Sequence, residues 1–143
     1  MSGETLIAAT LLVPVVGAAL IAALGRWPNV RESVTLATSV ALFAAVLALL
    51  PGVQEGLRPQ LVLVEMLPGI AIAFRVEPLG MLFALVASGL WCVNSVYSIG
   101  YMRANREPHQ TRFYACFALA LVATMGIALA SNLLTLFLFY ELL

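Results

Sequence analysis

The sequence predicts an all-α polytopic membrane protein with about five transmembrane helices, the last of them incomplete. Of the 143 residues, 63% are hydrophobic and 10% are charged, whereas a soluble domain is about half apolar and about a quarter charged. Apolar runs near the roughly 20 residues needed to cross a bilayer recur along the chain, and most charged residues lie between them. Residues 1–143 are therefore expected to form a single membrane domain.

The first two spans are predicted at residues 5–25 and 33–50, joined by a short polar turn. The first contains Pro14, which a membrane helix tolerates when neighbours satisfy the freed carbonyl. Ala18 and Ala22 form a pair of small residues that favours close helix packing. The leader lacks positive charge and the apolar run exceeds a signal-peptide core, so this span is expected to be retained.

Residues 52–78 carry too many charges for a span in contact with lipid. Every second residue of 70–76 is large and apolar, and the dipeptide Pro68-Gly69 precedes this run. Alternation beside a Pro-Gly turn indicates a β-hairpin, which we expect on the membrane surface. An irregular interfacial loop is the alternative. Arg75 and Glu77 are expected to help dock the hairpin side.

The third span is predicted at residues 79–102 and becomes polar toward its end. Asn94, Ser98 and Tyr101 share one helical face. Hydrogen bonding between helices and an aromatic belt at the interface account for these residues most simply. Part of a hydrated path is the alternative interpretation.

The loop at residues 103–112 is the most basic one and contains His109, which we expect to be solvated and to hold no ligand. The fourth span is predicted at residues 113–131, with Gly126 and Ala130 as a second small pair. Residues 132–143 are expected to form the start of a fifth span. Two cysteines also lie in predicted helices and are interpreted as packing residues: Cys92 and Cys116.

The distribution of arginine predicts the orientation of the chain. The loops after the first and third spans hold five of the seven arginines, so the positive-inside rule places both loops in the cytoplasm. The N-terminus and the hairpin loop then lie outside a cell (inner) membrane. The fifth helix enters from the outside, which puts Glu141 about 13 Å deep, near the middle of a core about 30 Å thick.

Glu141 is the only charged residue well inside an apolar segment. A charge at the bilayer centre costs about 3 kcal/mol on insertion scales, so such residues usually have a function. Its helical neighbours Leu134, Phe137 and Leu138 cannot neutralise a carboxylate. Because burial disfavours the ionised form and a nearby cation favours it, a movable cation would make Glu141 a switchable proton-relay site. A structural bond to a neighbouring helix, through Tyr140 or Asn132, is the alternative.

Composition and motifs exclude several other functions. The net charge is zero, which argues against a nucleic-acid role and against a polybasic lipid-surface role, because both need clustered positive charge. The sequence has no glycine-rich phosphate loop, no paired-cysteine spacing and no histidine with a plausible partner. We therefore expect no catalytic centre, no cofactor and no metal. The expected partners are lipid and other membrane subunits.

The fifth segment has twelve residues, too few to span a bilayer. A chain end at that depth would leave backbone carbonyls without partners. We therefore expect this sequence to be part of something larger. A longer protein, a separate chain that completes the fifth helix, and a short re-entrant segment all remain open.

Two stretches carry a family resemblance: FRVEPLGMLFALVASGLWCVNSVYSIGYM, and RFYACFALALVATMGIALASNLLTLFLFYELL. They resemble the N-terminal part of the antiporter-like proton-translocating subunits. These occur in Mrp-type cation/proton antiporters, where the likeness is to the D-type component, in the membrane arm of respiratory complex I, and in membrane-bound hydrogenases. The resemblance covers residues 75–143 well and the two preceding helices in pattern only.

The resemblance implies about fourteen helices with two inverted five-helix repeats, of which this chain supplies the first three helices and the start of the first repeat. Glu141 matches the acid that the family places in its fifth helix, within NLLTLF-x-x-YE, where it pairs with a lysine on the seventh helix in the proton path. Glu77 stands where the family usually has Asp. The implied function is part of a proton-conducting subunit of a cation (Na+)/proton antiporter. A redox-driven pump and a purely structural membrane subunit are the alternatives.

Overall fold

The computed structural model describes residues 2–143, which form five helices and one β-hairpin. The predicted fold class is confirmed, because four helices of 21, 27, 27 and 19 residues are long and apolar enough to cross a membrane. The chain is thus a multi-pass membrane protein. The elements in chain order are α1 (Gly3–Ala23), α2 (Pro28–Gln54), β1 (Gln60–Leu67), β2 (Ile70–Arg75), α3 (Pro78–Ala104), α4 (Gln110–Ala128) and α5 (Leu133–Leu142).

The second helix is longer at both ends than the predicted span 33–50. It begins at Pro28, whose fixed φ suits the first helical position, directly after extended Trp27. Pro51 lies inside the helix rather than ending it, and the helix continues to Gln54. The charged residues Arg31 and Glu32 are therefore helical and buried rather than part of a turn.

The fourth helix ends at Ala128, before the predicted boundary at residue 131. Ala130 instead forms an isolated antiparallel bridge with Phe74 of the hairpin. Ala130 and Gly126 are consequently not paired on one helix face. The chain leaves the helix early because the hairpin supplies partners for its backbone.

Small residues set the close contacts between helices, although not always the predicted ones. α1 packs against α2 and α4, α2 packs against α3, and α4 packs against α5. Gly17 of α1 faces the side chain of Thr38 in α2, so a Cβ at this position would overlap it. Ala18 is buried, but Ala22 is exposed. Only the first member of the predicted pair therefore lies in a helix contact.

The predicted hairpin is present, and the end of its second strand is part of the core. Strands β1 and β2 pair antiparallel, and the turn Pro68-Gly69 closes them with φ 84° at Gly69, a conformation that favours glycine. The side chains of Phe74, in β2, and of Val76, just after it, have no exposed surface, so this end of the hairpin fills space between the helices. Large apolar side chains of the helices are also completely buried, among them those of Ile7, Ile21, Leu42, Val46 and Met125.

Candidate functional site on the fifth helix

The start of α5 is anchored to strand β2 by hydrogen bonds. The backbone N–H of Ala73 donates to Thr135 Oγ1 at 3.0 Å, and Thr135 is completely buried. Ser131 donates to the carbonyl oxygen of Ala73 through its backbone N–H at 3.0 Å and its hydroxyl at 2.9 Å. Asn132 donates from Nδ2 to the carbonyl of Ala71 at 2.8 Å. These contacts fix the position at which α5 begins.

Asn132 also caps the helix that it precedes. Its Oδ1 accepts a hydrogen bond from the backbone N–H of Thr135 at 2.8 Å. A side-chain oxygen at this position satisfies one of the amide groups that a helix leaves open at its N-terminus. Asn132 thus joins β2 to α5 with both ends of its amide group. In the described residues its side chain therefore bonds the hairpin and its own helix, and not a neighbouring helix as the structural alternative for Glu141 expected.

Phe139 holds α5 against the rest of the chain one turn further on. Its ring packs edge-on against Phe74, with ring centroids 5.4 Å apart and an interplanar angle of 73°. It also lies directly over Gly126 of α4, where any Cβ would overlap the ring. Thr135 and Phe139 are four residues apart and therefore lie on one helical face. This face of α5 packs against the hairpin and α4.

Glu141 lies on the other side of α5. With about 100° of rotation per residue, Glu141 is about 200° around the helix axis from Phe139. Its neighbours Phe137 and Leu138 are exposed, as is Glu141 itself. Eight residues separate Glu141 from Leu133, which corresponds to about 12 Å along the axis from the hairpin end. The carboxylate is thus presented outward on an apolar surface.

Glu141 has no cationic partner within residues 2–143. The four ion pairs of this part of the chain join Arg31 and Arg103 to Glu32, and Arg58 and Arg75 to Glu77. Tyr140, the other residue considered for a structural bond, is 64% exposed and also faces outward. Any group that pairs with Glu141 must therefore come from outside the described residues.

Arg75 and Glu77 lie at the base of the hairpin, as the sequence predicts. Glu77 forms an ion pair with Arg58, and its Oε1 lies 3.9 Å from Arg75 Nη1. All three side chains are about half exposed, so these pairs contribute little stability. The stronger link is the backbone N–H of Arg75, which donates to the carbonyl of Leu129 at 2.7 Å.

The three residues of the predicted polar face of α3 have different surroundings: Ser98 is buried, Asn94 lines a cavity and Tyr101 is exposed. Asn94 lines a cavity of about 350 Å³ between α3 and α4, where Trp91 and Thr124 also contribute. Tyr101 is exposed and stacks on Tyr97 at a centroid distance of 6.1 Å, as expected for aromatic residues at a membrane interface. Cys92 is half-buried and Cys116 is exposed on the surface of this chain, so the interpretation of Cys116 as a packing residue stays a prediction.

The main polar feature that the sequence did not predict is a buried cluster at the opposite end of the bundle. Arg31 and Glu32 are each 4% exposed. Arg31 donates from Nη1 to Thr111 Oγ1 at 3.1 Å and from Nη2 to Gln110 Oε1 at 2.7 Å. Its guanidinium carbon lies 5.2 Å from the ring centroid of Tyr114, a cation–π contact. The cluster ties the start of α2 to the start of α4.

Periodicity could have revealed this cluster. The buried face of α2 continues at helical spacing from Leu42 through Ser39, Thr38 and Thr35 back to Arg31. The predicted span 33–50 was defined by hydrophobicity alone, so the polar continuation of this face, with Arg31, was assigned to the turn before it. Following the face backwards would have placed Arg31 inside the bundle.

Comparisons with known proteins agree with the resemblance seen in the sequence. Residues 68–114 match the family model described as NADH-Ubiquinone oxidoreductase (complex I), chain 5 N-terminus. Over 74 residues the chain is 35% identical to Na(+)/H(+) antiporter subunit A1 of Staphylococcus aureus strain bovine RF122 / ET3-1. It is 34% identical to the same protein of strain JH9. Both alignments cover 52% of this chain and 9% of the relative, so the chain matches only a small part of these proteins.

A solved structure has the same fold over nearly the whole chain. A chain of the membrane-bound sulfane sulfur reductase, an archaeal respiratory membrane complex, superposes with a TM-score of 0.77 at 21% identity. The superposition covers 94% of this chain and 21% of that chain. The family model and the antiporter relatives confirm the resemblance to antiporter-like subunits, and the superposition shows a shared fold. The antiporter relatives named above are of the A1 type rather than the D type. The family-model match ends at Tyr114, so Glu141 lies outside it.

Proposed function

We propose that this chain, similar in sequence to A1-type antiporter components and to the start of complex I chain 5, is part of a proton-conducting subunit of a cation (Na+)/proton antiporter. Glu141 is its proton-relay carboxylate. The observation that carries the proposal is the orientation of α5. One face of this short apolar helix packs on β2 and α4 through Thr135 and Phe139, and Glu141 lies on the other face without a partner in residues 2–143.

The chemistry follows from the surroundings of the carboxylate. Phe137 and Leu138 provide an apolar surface around Glu141, and neither can donate a hydrogen bond. When another helix covers this face, loss of water favours the neutral acid, whereas a cation on that helix favours the ionised form. A cation that moves between two positions would therefore make Glu141 bind and release a proton. Proton relays in pumps and transporters use intramembrane acids in this way.

The arginine distribution supports an orientation for this relay. Five arginines and two glutamates lie in or beside the loops between α1 and α2 and between α3 and α4. The positive-inside rule places that end in the cytoplasm, and the N-terminus and hairpin outside the cell (inner) membrane. Glu141 then lies about 12 Å in from the outer surface, within a hydrocarbon core about 30 Å thick. Other membrane subunits are the expected partners, and a further segment or chain covers the outward face of α5.

A redox-driven pump is the second candidate, because the matching family model describes a complex I chain. The same carboxylate would serve in such a complex, with electron transfer in other subunits supplying the energy. Purification separates the two candidates. Flavin or iron–sulfur absorbance in the purified complex favours the redox-driven pump, and sodium-dependent proton exchange without redox centres favours the antiporter.

Replacing Glu141 with glutamine tests the relay directly. Glu141→Gln keeps the size and polarity of the side chain but removes its titratable proton. In inverted membrane vesicles, we expect sodium-induced dissipation of a pH gradient to be abolished or strongly reduced, while Glu141→Asp retains part of the activity. Glu55→Gln is the matched control, because Glu55 is exposed at the end of α2.

The amount of assembled complex must be measured in the same vesicles. Normal exchange in an assembled Glu141→Gln complex would contradict the relay and favour a purely structural role for this chain. Loss of exchange together with loss of assembly would instead assign Glu141 a structural role.

A further inference from the structure

We propose that the end of the bundle formed by the α1–α2 turn and the α3–α4 loop binds the phosphate headgroup of an anionic phospholipid, with Arg103 as its fixed contact. This arginine-rich end lies opposite the hairpin. The inference concerns the interfacial loops and does not depend on any role of Glu141.

Charge is divided unequally between the two ends. Excluding Glu141, the hairpin end carries four glutamates and two arginines, and the arginine-rich end carries five arginines and two glutamates. The arginine-rich end thus has three more positive than negative charges, a cluster that the zero net charge of the whole sequence does not predict. Its charged residues are Arg26, Arg31, Glu32, Arg103, Arg106, Glu107 and Arg112.

Arg103 is held in place by residues of α2. It forms an ion pair with Glu32, and its Nη2 donates to Asn29 Oδ1 at 2.6 Å. Glu32 is itself buried and held by Arg31, whose Nη2 lies 3.3 Å from Glu32 Oε1. The Arg103 side chain nevertheless remains 51% exposed, so a ligand outside the bundle can reach it. A fixed guanidinium loses little conformational entropy when it binds a phosphate.

The cluster around Arg103 lacks one negative charge. Two arginines share the single carboxylate of Glu32, which leaves one positive charge without an acidic partner among the described residues. A further arginine, Arg106, lies in the tight turn that follows Arg103 and has φ 50°. Its backbone N–H donates to the carbonyl of Arg103 at 3.3 Å, which keeps the two residues together. A phosphate at this turn would meet a cluster with excess positive charge.

Exposed aromatic residues place this end at the level of lipid headgroups. Trp27, immediately before α2, is 59% exposed, and Tyr101 is exposed in the last turns of α3. Tryptophan and tyrosine are enriched where the hydrocarbon core meets the headgroups. Basic pockets between helices at this level bind anionic headgroups. These aromatic neighbours favour a lipid over an acidic loop of a partner protein.

Native mass spectrometry of the protein, extracted with its partner subunits, tests the proposal. The complex is incubated with mixed micelles that contain equal amounts of phosphatidylglycerol and phosphatidylcholine. We expect phosphatidylglycerol to remain bound preferentially, and Arg103→Gln or Arg106→Gln to reduce its retention about fivefold each. Arg58→Gln is the matched control, because Arg58 is half-exposed at the hairpin end.

Each outcome decides the question. Equal retention of the two lipids by the wild-type protein, or unchanged preference in both variants, would overturn the proposal. Arg106→Gln keeps the test valid if Arg103→Gln disturbs the fold, because the ion pairs of the cluster do not involve the Arg106 side chain. Inorganic phosphate at millimolar concentration should compete weakly. Complete displacement of phosphatidylglycerol by phosphate would instead identify a site for free anions. If phosphatidylglycerol retention is lost only when a partner protein is removed, the arginine-rich end is a protein interface.

Discussion

Replacing Thr135 with valine tests how the hairpin positions α5. Valine has the shape of threonine but cannot accept the hydrogen bond that Ala73 donates at 3.0 Å. Both residues are buried, so water cannot replace the lost acceptor. We expect Thr135→Val to weaken the attachment of β2 to α5 while leaving each element intact.

The size of the effect follows from the amide group left without a partner. A buried donor that loses its acceptor costs about 1–3 kcal/mol. If opening of the hairpin governs amide exchange, this cost corresponds to about 5- to 150-fold faster exchange at Ala73. Filling the same volume with a methyl group adds no cavity. The whole change can therefore be assigned to the hydrogen bond.

Hydrogen exchange followed by mass spectrometry on peptides covering β2 measures this change in detergent. Thr10→Val is the matched control, because Thr10 is equally buried but donates only to the carbonyl of Ile7 within its own helix. The control should leave exchange in β2 unchanged. If exchange in β2 stays the same in Thr135→Val, or rises as much in Thr10→Val, the hydrogen bond does not hold the hairpin on α5.

Two further substitutions test the contacts that frame the site. Gly126→Ala should destabilise the protein by about 1–3 kcal/mol, because the new Cβ overlaps the ring of Phe139. In Gly100→Ala the new Cβ lies in open space on α3, so this substitution should stabilise the protein by up to about 1 kcal/mol. Thermal unfolding should therefore show midpoint shifts of opposite sign for the two variants. Glu32→Gln should lower stability by about 3 kcal/mol because it removes the one acidic partner that buried Arg31 has among the described residues. Glu55→Gln, at an exposed position, should change the same thermal midpoint little, and equal midpoints in the two variants would contradict the argument.

Tertiary contacts explain where the sequence prediction and the structure differ. The predicted span 113–131 ended at the edge of an apolar run, but α4 stops at Ala128 because residues 129–132 bond to β2. The buried cluster was missed for a related reason. Arg31 donates a hydrogen bond to Thr111, which is 80 residues away along the chain, and no local sequence pattern predicts such a contact.

The sequence by itself determined the helical spans, the hairpin and the position of Glu141 along α5. These features are local: a backbone in lipid must satisfy its own hydrogen bonds, so long apolar runs become helices, and alternation beside Pro68-Gly69 becomes a hairpin. Only the tertiary structure decided which way α5 faces. The bond between Ala73 and Thr135 joins residues 62 apart, and with the packing of Phe139 it turns Glu141 outward. Orientation depends on which distant groups meet, and the chemistry of Glu141 depends on that orientation.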